Sequence, residues 1–325
     1  MEAMTVSFTD LVQPALEQVE RRMRASPEAH HPELNAALDH LLASGGKRIR
    51  PTLVLLLGGR LGADPERAIT LAAAIELLHT ATLVHDDLID GSSLRRGIPT
   101  LNATWNGGAT VLTGDYIFAR AAYLAAQTRS LSIMESFAKT LMVIVNGELT
   151  QLFRSNSGDL RKDYFDRVNA KTASLFQLAA EGAAILADMS EVTLERARTG
   201  GSNLGIAFQI VDDVLDFVGQ ASEVGKPVAS DLRQGLITLP TLYYLEAHPE
   251  EEPALRNLLL GELEEAEVER LIERIRSFGA VEQALREAEA YVRRGADLLD
   301  DLPADGRDYR EALEGLARYI IQRTT

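Results

Sequence analysis

The sequence contains no cysteine among its 325 residues. This absence excludes disulfide bonds, thiolate metal sites and cysteine nucleophiles, although it does not by itself assign a cellular compartment. Uninterrupted apolar runs of membrane-spanning length are also absent, so no stable membrane insertion is expected. The N-terminus has no basic segment followed by an apolar stretch, and therefore no secretory signal is expected. The default expectation is a cytoplasmic protein.

Positive charge is scarce relative to negative charge. The chain has 33 Lys and Arg residues against 48 Asp and Glu, which gives a formal net charge of −15. This balance argues against nucleic acid or an anionic membrane as a general partner. An anionic ligand must therefore bind in a local basic pocket.

Alternating apolar and polar runs bounded by hairpin turns are lacking, so no β-sheet is expected. The apolar periodicity is instead helical, which predicts an all-α fold. The segment from Ala68 to Ile89 is apolar almost all round, as in a helix buried on most sides. Further helices are predicted at Ala109–Ala126, Leu131–Phe153, Tyr164–Ala187 and Leu194–Val218, with amphipathic surface helices from Glu251 onward.

Two aspartate-rich runs interrupt the apolar helices, DDLID at Asp86–Asp90 and DDVLD at Asp212–Asp216. Asp86 and Asp90 are four residues apart and lie about 40° apart on one helical face. Like charges at this spacing destabilise a helix. An incomplete set of hard oxygen ligands suits Mg²⁺, which takes its remaining ligands from water and phosphate. One run alone is compatible with a solvated acidic turn, whereas two runs of the same pattern favour a magnesium–diphosphate enzyme.

Each acidic run is followed by a loop with turn residues, at Gly91–Thr100 and Gly219–Asp231, where a lid is expected. A third loop is predicted at Ser155–Lys162. The two runs make sense only as parts of one site, and no linker or repeat separates them. We therefore predict a single domain over residues 1–325, with a motif-bearing core at about 45–240 and C-terminal helices at 251–325.

Basic residues cluster in the segment GGKRIRP, which contains Lys47, Arg48 and Arg50. Its two glycines allow close backbone approach to an anion, although a helix entry with solvated charges has the same pattern. His79 lies two helical turns before Asp86 on the same face, either pointing to the same cavity or satisfied within the core. Five further residues are singled out by their neighbours. Arg95 and Arg96 are adjacent and point differently, Lys171-Thr172 interrupts an apolar helix, and Lys226 lies between Gly225 and Pro227.

The order of these motifs resembles that of the trans-type isoprenyl (polyprenyl) diphosphate synthases. The resemblance runs from about Gly45 to Pro240 and rests on GGKRIRP, HTATLVHDD, DDLID with LRRG, GDYIFARA, NGELTQL, KTASLF, FQIVDDVLDF and GKPVASDLRQGLITLP. It implies the isoprenoid synthase fold, a bundle of long helices around a deep central cavity. It also implies a homodimer.

The resemblance further implies roles for individual residues. Asp86 and Asp90 are expected to hold two Mg²⁺ with support from Asp87, and Asp212 a third, with Asp213 and Asp216 in or near its shell. The three ions would grip an allylic diphosphate together with Arg95, Lys171 and Lys226. Isopentenyl diphosphate would bind Lys47, Arg50, His79 and Arg96, and oxygens of Thr172 and Gln209 would stabilise an allylic cation.

The implied reaction is a head-to-tail (1′-4) condensation. Loss of the diphosphate leaves an allylic cation, the alkene of isopentenyl diphosphate attacks it, and proton loss gives a longer allylic diphosphate. Such chemistry requires a leaving group stabilised by divalent ions and a dry apolar cavity. One departure from the family is Leu236, where a lysine often follows the glycine of QGLITLP; this raises doubt about the rate rather than the reaction class.

The length of the product is expected to depend on residues that precede Asp86 on its helix. Bulky aromatic residues at the positions of Ala81 and Thr82 stop the growing tail early in the family, and both are small here. The next obstacles are Leu77 and Leu78, with Phe137 and Leu141 on a neighbouring helix; ordinary core packing explains these four equally. We predict a product of C20 or longer, with C30–C40 favoured. A farnesyl or geranylgeranyl diphosphate synthase with a shorter stop is the alternative.

Other readings are weaker. The second acidic run and GGKRIRP argue against a terpene cyclase and a head-to-head condensing enzyme. A non-catalytic partner subunit of a heteromeric prenyl synthase would be expected to lack acids or basic contacts, and Leu236 is the sole hint of such a loss. Arg318 and Arg323 fit a solvated terminal helix better than a segment that closes over the second diphosphate.

Overall fold

The structure of the protein is a computed structural model. It describes residues 8–25, 31–43, 45–95, 97–153, 158–218, 228–259, 264–300 and 307–323. Nearly all of these residues are helical, which confirms the predicted all-α class. Arg96 and Lys226, which are both predicted to bind diphosphate, lie outside the described residues.

The α-helices of the described residues are numbered in chain order. They are α1 (Gln13–Arg24), α2 (Pro32–Ala43), α3 (Ile49–Leu61), α4 (Pro65–Ile89), α5 (Leu101–Thr104), α6 (Gly107–Gln127), α7 (Leu131–Leu152), α8 (Leu160–Val168), α9 (Ser174–Leu186), α10 (Glu191–Val218), α11 (Ser230–Arg233), α12 (Leu239–Ala247), α13 (Glu252–Leu259), α14 (Glu265–Ser277), α15 (Ala280–Asp300) and α16 (Arg307–Gln322). Short 3₁₀ turns lie at Asp10–Val12 and Pro249–Glu251, and a π-helical segment at Asn169–Ala173.

The chain divides into two compact units. The first comprises Met1–Leu141, Leu175–Gly201 and Leu298–Leu316, and the second comprises Met142–Ser174, Ser202–Asp297 and Ala317–Thr325. The single domain expected from the sequence stays a prediction.

Helix α4 is the central element of the first unit. Asp64 caps its start by accepting a hydrogen bond from the backbone N–H of Arg67, and Pro65 occupies the first helical position. The helix packs against α1, α3 and α6, so its apolar residues are covered on most sides. It is long and apolar enough to cross a membrane by composition alone, but 78% of its apolar window is buried inside the protein. Such burial is that of a core helix.

A two-stranded hairpin follows α4, contrary to the expectation that the chain forms no strands. β1 (Leu94–Arg95) pairs antiparallel with β2 (Ile98–Pro99), so that Arg95 lies opposite Ile98. Gly97, with φ of 75°, provides the left-handed residue of the turn. Strands of two residues are too short to show a period of two in the sequence.

The helix that begins with α8 changes from α-helical to π-helical geometry and back again. α8 leads into the π-helical segment Asn169–Ala173, and α9 begins at Ser174. The sequence predicts one uniform helix from Tyr164, whereas the structure begins it at Leu160, where Asp159 caps the backbone N–H of Lys162. π-Helical turns are rare and occur frequently at functional sites. This one carries Lys171 and Thr172.

Candidate active site

The first acidic run lies at the C-terminal end of α4. Asp86 and Asp87 are buried, with 8% and 5% of their surface exposed, whereas Asp90 is exposed. The backbone N–H of Asp90 donates to the carbonyl of Asp86 at 2.8 Å, so the helical path continues through Asp90. Asp86 and Asp90 therefore keep the shared face that their spacing predicts.

Asp87 binds Arg95 in a forked ion pair. The Nη2 of Arg95 lies 2.7 Å from Oδ1 of Asp87, and its Nε lies 3.0 Å from both carboxylate oxygens. Because the hairpin places Arg95 directly after the acidic run, the pair holds this guanidinium beside the end of α4. The side chain of Arg95 remains 38% exposed and accessible to a second anion.

The cationic side chains of the GGKRIRP segment have different surroundings. Arg48 adopts a left-handed conformation with φ of 46° and donates to Oε1 of the buried Glu76 at 3.0 Å and to Glu20 at 3.2 Å. Glu76 belongs to α4, three residues before His79, so this bridge ties the basic segment to the helix that carries the acidic run. The sequence analysis missed Glu76. The sequence signal that could have identified Glu76 is its charge within the otherwise apolar segment that forms α4.

The other two cations of this segment differ in exposure. Lys47 is exposed, whereas Arg50 is buried with its guanidinium 5.0 Å from the ring centroid of Phe176. Stacking on an aromatic face stabilises a guanidinium without occupying its N–H groups. His79 is half-buried.

Most of the residues expected to govern product length are packed in the core. Leu77, Leu78 and Ala81 are fully buried and Phe137 is 3% exposed. Thr82 is half-buried and donates its hydroxyl to the carbonyl of His79 at 2.7 Å. By helical geometry Thr82 lies about 40° from Asp86 around α4, whereas Ala81 lies about 140° away. Thr82 is therefore the member of the pair that shares the face of the acidic run.

The first aspartate of the second run binds Arg323, the residue that directly follows α16. Nη1 of Arg323 lies 2.8 Å from Oδ1 of Asp212, and Nη2 donates to the carbonyl of Phe208 at 2.9 Å. The guanidinium also stacks 3.8 Å from the ring centroid of Phe208. With a side chain only 4% exposed, Arg323 is not part of a solvated terminal helix, so that expectation was wrong. Arg318 is exposed as expected.

Asp213, the second aspartate, is buried in a hydrogen-bonded chain. Its Oδ2 accepts from the hydroxyl of Tyr164 at 2.6 Å and its Oδ1 accepts from Nε2 of Gln209 at 2.8 Å. Oε1 of Gln209 in turn accepts from the hydroxyl of Thr172 at 2.6 Å. Burial, with a further contribution from the charge of Asp231, raises the pKa of Asp213 to about 7. Thr172 and Gln209 are thus hydrogen-bonded to each other, and Tyr164 belongs to the same chain although it was not predicted from the sequence.

The third aspartate, Asp216, anchors the chain at the start of α11. Its two carboxylate oxygens accept from the backbone N–H groups of Ser230 at 3.0 Å and Asp231 at 2.9 Å. Its carbonyl also accepts from the N–H of Ala229, which has φ of 55°. These bonds fix the backbone at the start of α11. Leu236 is half-buried just beyond α11.

Lys171 pairs with Glu148 of α7 at 2.9 Å, inside the motif NGELTQL. The approach of α7 to the π-helical segment depends on Gly147, because a Cβ added there would lie 2.4 Å from Cβ of Ala170. The lysine predicted to need a partner or ligand therefore has a carboxylate partner. Glu148 is a further residue whose role the sequence did not indicate.

The donors present fit a hard divalent cation. Within the residues that the structure describes, no three acidic or histidine side chains converge to form a complete metal site. Asp86 and Asp90 offer carboxylates from one helical face, which is part of a shell that Mg²⁺ completes with water and phosphate oxygens. The acidic run is thus suited to a metal that arrives with a phosphorylated ligand.

Comparisons with known proteins agree with this chemistry. Residues 31–275 match the family model described as polyprenyl synthetase. The chain is 37% identical over 310 residues to heptaprenyl diphosphate synthase component 2 of Geobacillus stearothermophilus, covering 95% of each chain. It is 36% identical over 286 residues to octaprenyl diphosphate synthase of Escherichia coli, covering 87% of this chain and 88% of the relative.

A solved structure of similar fold is the polyprenyl synthase of Caulobacter crescentus complexed with calcium and isoprenyl diphosphate. It superposes with a TM-score of 0.88 at 37% identity, covering 98% of this chain and 97% of the other. These matches confirm the predicted helical isoprenoid synthase fold. The chain belongs to the polyprenyl synthetase family and is a prenyltransferase that extends an allylic diphosphate head-to-tail with isopentenyl diphosphate to a trans-polyprenyl diphosphate of C20 or longer.

Proposed function

We propose that this enzyme makes a C30–C40 trans-polyprenyl diphosphate and that Mg²⁺ bound at its acidic runs activates the allylic substrate. The observation that carries the proposal is the buried Asp86 at the end of the apolar helix α4, with Asp90 one turn further on the same face. Two carboxylates one helical turn apart on the same face are suited to holding a divalent cation there. When bound, the ions supply electrostatic stabilisation to the departing diphosphate.

Asp86 and Asp90 hold two of the three ions in this proposal, and Asp212 holds the third. Asp87 acts by orienting Arg95 through their forked ion pair. Asp213 and Asp216 support the second run by anchoring Gln209 and the start of α11.

Cationic side chains bind the two diphosphates. Arg95, Lys171 and Lys226 bind the allylic diphosphate, and Lys171 exchanges Glu148 for a phosphate oxygen when the substrate arrives. Lys47, Arg50, His79 and Arg96 bind isopentenyl diphosphate. The guanidinium of Arg50 stacks on Phe176, 5.0 Å from the ring centroid, and carries its positive charge in the GGKRIRP segment.

Oxygen atoms of Thr172 and Gln209 stabilise the allylic cation after the diphosphate leaves. The buried position of Thr172 on the π-helical segment keeps the hydroxyl away from bulk water. Exclusion of water protects the cation from being quenched before the alkene attacks.

The preference for a long product rests on the small side chains at Ala81 and Thr82 and on the relatives. The relatives include heptaprenyl, octaprenyl and nonaprenyl diphosphate synthases. A stop at C20 would place the obstacle at Leu77, Leu78 or Phe137, whereas a product of C30–C40 requires a channel that is open past Ala81 and Thr82. Leu236 in place of a family lysine lowers the affinity for the allylic diphosphate without changing the reaction.

We further propose a cytoplasmic homodimer. Exposed apolar residues on α7 recur with spacings of three, four and three, at Met142, Val145, Leu149 and Leu152. Such a stripe is typical of a helix that packs against another helix. A second assembly is a heteromer, since one relative is named as component 2 of heptaprenyl diphosphate synthase.

The proposed metal dependence is tested with purified protein, labelled isopentenyl diphosphate and a C15 allylic primer. Incorporation is measured with Mg²⁺, with EDTA, and with EDTA followed by excess Mg²⁺. The proposal expects incorporation that EDTA abolishes and Mg²⁺ restores. Incorporation that is insensitive to EDTA contradicts the role given to the acidic runs, and no incorporation by the homomeric protein favours the heteromer.

A further inference from the structure

Three buried side chains of the second unit and the half-buried Gln209 form a hydrogen-bonded chain. Tyr164 on α8 donates to Asp213 on α10, Gln209 donates to the other oxygen of Asp213, and Thr172 donates to Gln209. The donor–acceptor distances are 2.6, 2.8 and 2.6 Å. The chain therefore runs from α8 through α10 to the π-helical segment.

The direction of each hydrogen bond follows from the chemistry of its members. Both oxygens of Asp213 accept, one from the hydroxyl of Tyr164 and the other from Nε2 of Gln209, so the amide of Gln209 points its NH₂ group toward Asp213. The amide oxygen of Gln209 is then turned toward Thr172, which must donate its single hydroxyl hydrogen to it. With that hydrogen engaged, the hydroxyl of Thr172 has only lone pairs left to offer another group.

Reversing the amide of Gln209 would invert this polarity. Its NH₂ group would then point at Thr172, whose oxygen would accept, and the threonine hydrogen would be directed elsewhere. A hydroxyl hydrogen presented to a carbocation is repulsive, whereas lone pairs are attractive. The polarity of the chain therefore decides whether Thr172 stabilises or destabilises positive charge.

We propose that Tyr164 is a positioning residue that, through Asp213, holds the amide of Gln209 in the orientation that leaves Thr172 presenting lone pairs to the allylic cation. This inference rests on the proposed role of Thr172 at the cation. Tyr164 is suited to the task because it is 1% exposed and packs edge-on against Phe165 at 5.1 Å. Burial and the charge of Asp213 also raise the pKa of Tyr164, which keeps its hydroxyl protonated as a donor.

Backbone packing holds the far end of the chain in place. Gly147 permits α7 to lie against Ala170, and Ser174 donates its hydroxyl to the carbonyl of Ala170 at 2.6 Å. Thr172 lies between these two contacts on the π-helical segment. Its position is thus set by the backbone, and the hydrogen-bonded chain is left to set the direction of its hydroxyl.

The test uses Tyr164→Phe, with Tyr243→Phe as a matched control. Tyr243 also donates its hydroxyl to a carboxylate, that of Glu287 at 2.5 Å, but it belongs to no part of the proposed site. The measured quantity is the single-turnover rate of the first condensation from a C15 primer, with the KM for isopentenyl diphosphate measured in parallel. The proposal expects Tyr164→Phe to slow this rate about tenfold or more with KM unchanged, and Tyr243→Phe to leave both unchanged.

A double-mutant cycle with Thr172→Val separates positioning from a general structural effect. If Tyr164 acts through the hydroxyl of Thr172, then Tyr164→Phe has no further effect on the rate in the Thr172→Val background. Multiplicative effects of the two variants would overturn the inference while leaving the role of Thr172 intact. A normal rate in Thr172→Val alone would instead overturn the proposed role of Thr172.

A second variant covers the case in which Tyr164→Phe fails to fold. Gln209→Met retains the side-chain volume but breaks the chain between Asp213 and Thr172. Because an oxygen of Gln209 is itself proposed to stabilise the cation, Gln209→Met is expected to give at least the loss of rate expected for Tyr164→Phe. Retention of the wild-type rate in Gln209→Met overturns the inference.

Discussion

Arg323 and Asp212 form an ion pair of 2.8 Å in which the residue directly after α16 is bound to the first aspartate of the second acidic run. The arginine is 4% exposed and is held additionally by the carbonyl and the ring of Phe208. The guanidinium therefore lies where a metal ion bound to Asp212 would place its charge. A cation at Asp212 must share this carboxylate with Arg323 or displace it.

Replacing this arginine is expected to change metal binding in the absence of substrate. Arg323→Gln removes a competing positive charge, so Mn²⁺ titrated into the substrate-free protein should bind more tightly than in wild type. The melting temperature of the metal-free variant should fall, because Phe208 and Asp212 lose their partner. Arg318→Gln, an exposed change on α16, serves as the control. Unchanged Mn²⁺ affinity in Arg323→Gln would show that metal and arginine do not compete.

The acidic runs are expected to be required for turnover and dispensable for folding. Asp86→Ala should reduce the rate by orders of magnitude and leave the metal-free melting temperature unchanged or higher, because a like-charge pair on α4 is relieved. Asp212→Ala should reduce the rate similarly but lower the metal-free stability by about 1 kcal/mol through the loss of its pair with Arg323. Activity and thermal melting are measured together. Near-normal turnover in either variant contradicts the metal assignment.

Product length is expected to respond differently to two neighbouring residues. Thr82→Phe places a ring on the face of Asp86 at a half-buried position, so the main product should shorten toward C15 with folding intact. Ala81 is fully buried, and Ala81→Phe should also shorten the product but with a stability loss of about 1–3 kcal/mol from overpacking. Products are sized after dephosphorylation. An unchanged profile in Thr82→Phe would mean that the tail follows another path.

Gly147 is expected to be intolerant of even a methyl group. A Cβ at this position would lie 2.4 Å from Cβ of Ala170, so Gly147→Ala must move α7 or the π-helical segment that carries Lys171 and Thr172. We expect turnover to fall about tenfold or more. Gly58→Ala on α3 is the matched control, because its nearest atoms lie at an ordinary 3.6 Å. Equal rates in the two variants would contradict the role given to this close approach.

The exposed stripe on α7 is expected to mediate dimer formation. Val145→Asp combined with Leu149→Asp places two charges in the stripe, and light scattering coupled to size-exclusion chromatography should then report a monomer. Val192→Asp on α10, where the valine is 66% exposed, should leave the wild-type dimer intact. A wild-type monomer, or a dimer that survives both charges, contradicts the proposed interface.

The sequence predicted the features that depend on spacing along one chain segment. The helical period of α4, the shared face of Asp86 and Asp90, and the all-α class follow from local periodicity. The order of short motifs was sufficient for the family. The boundaries of α4, α6, α7 and α10 agree with the predicted helices to within a few residues.

Features that depend on packing between helices were not predictable. The pairs Arg323–Asp212, Arg48–Glu76 and Tyr164–Asp213 join residues far apart in sequence, and which partners meet depends on helix crossing angles. The π-helical turn at Lys171 could not be predicted from the sequence for a different reason. One extra residue in a helical turn leaves the apolar pattern almost unchanged.

The most direct test of the account is the length of the product. The purified chain is incubated with Mg²⁺, labelled isopentenyl diphosphate and, in turn, C5, C10, C15 and C20 allylic diphosphates, and the dephosphorylated products are sized. The account predicts a ladder that ends between C30 and C40. A clean stop at C15, or no elongation with any primer, would contradict it.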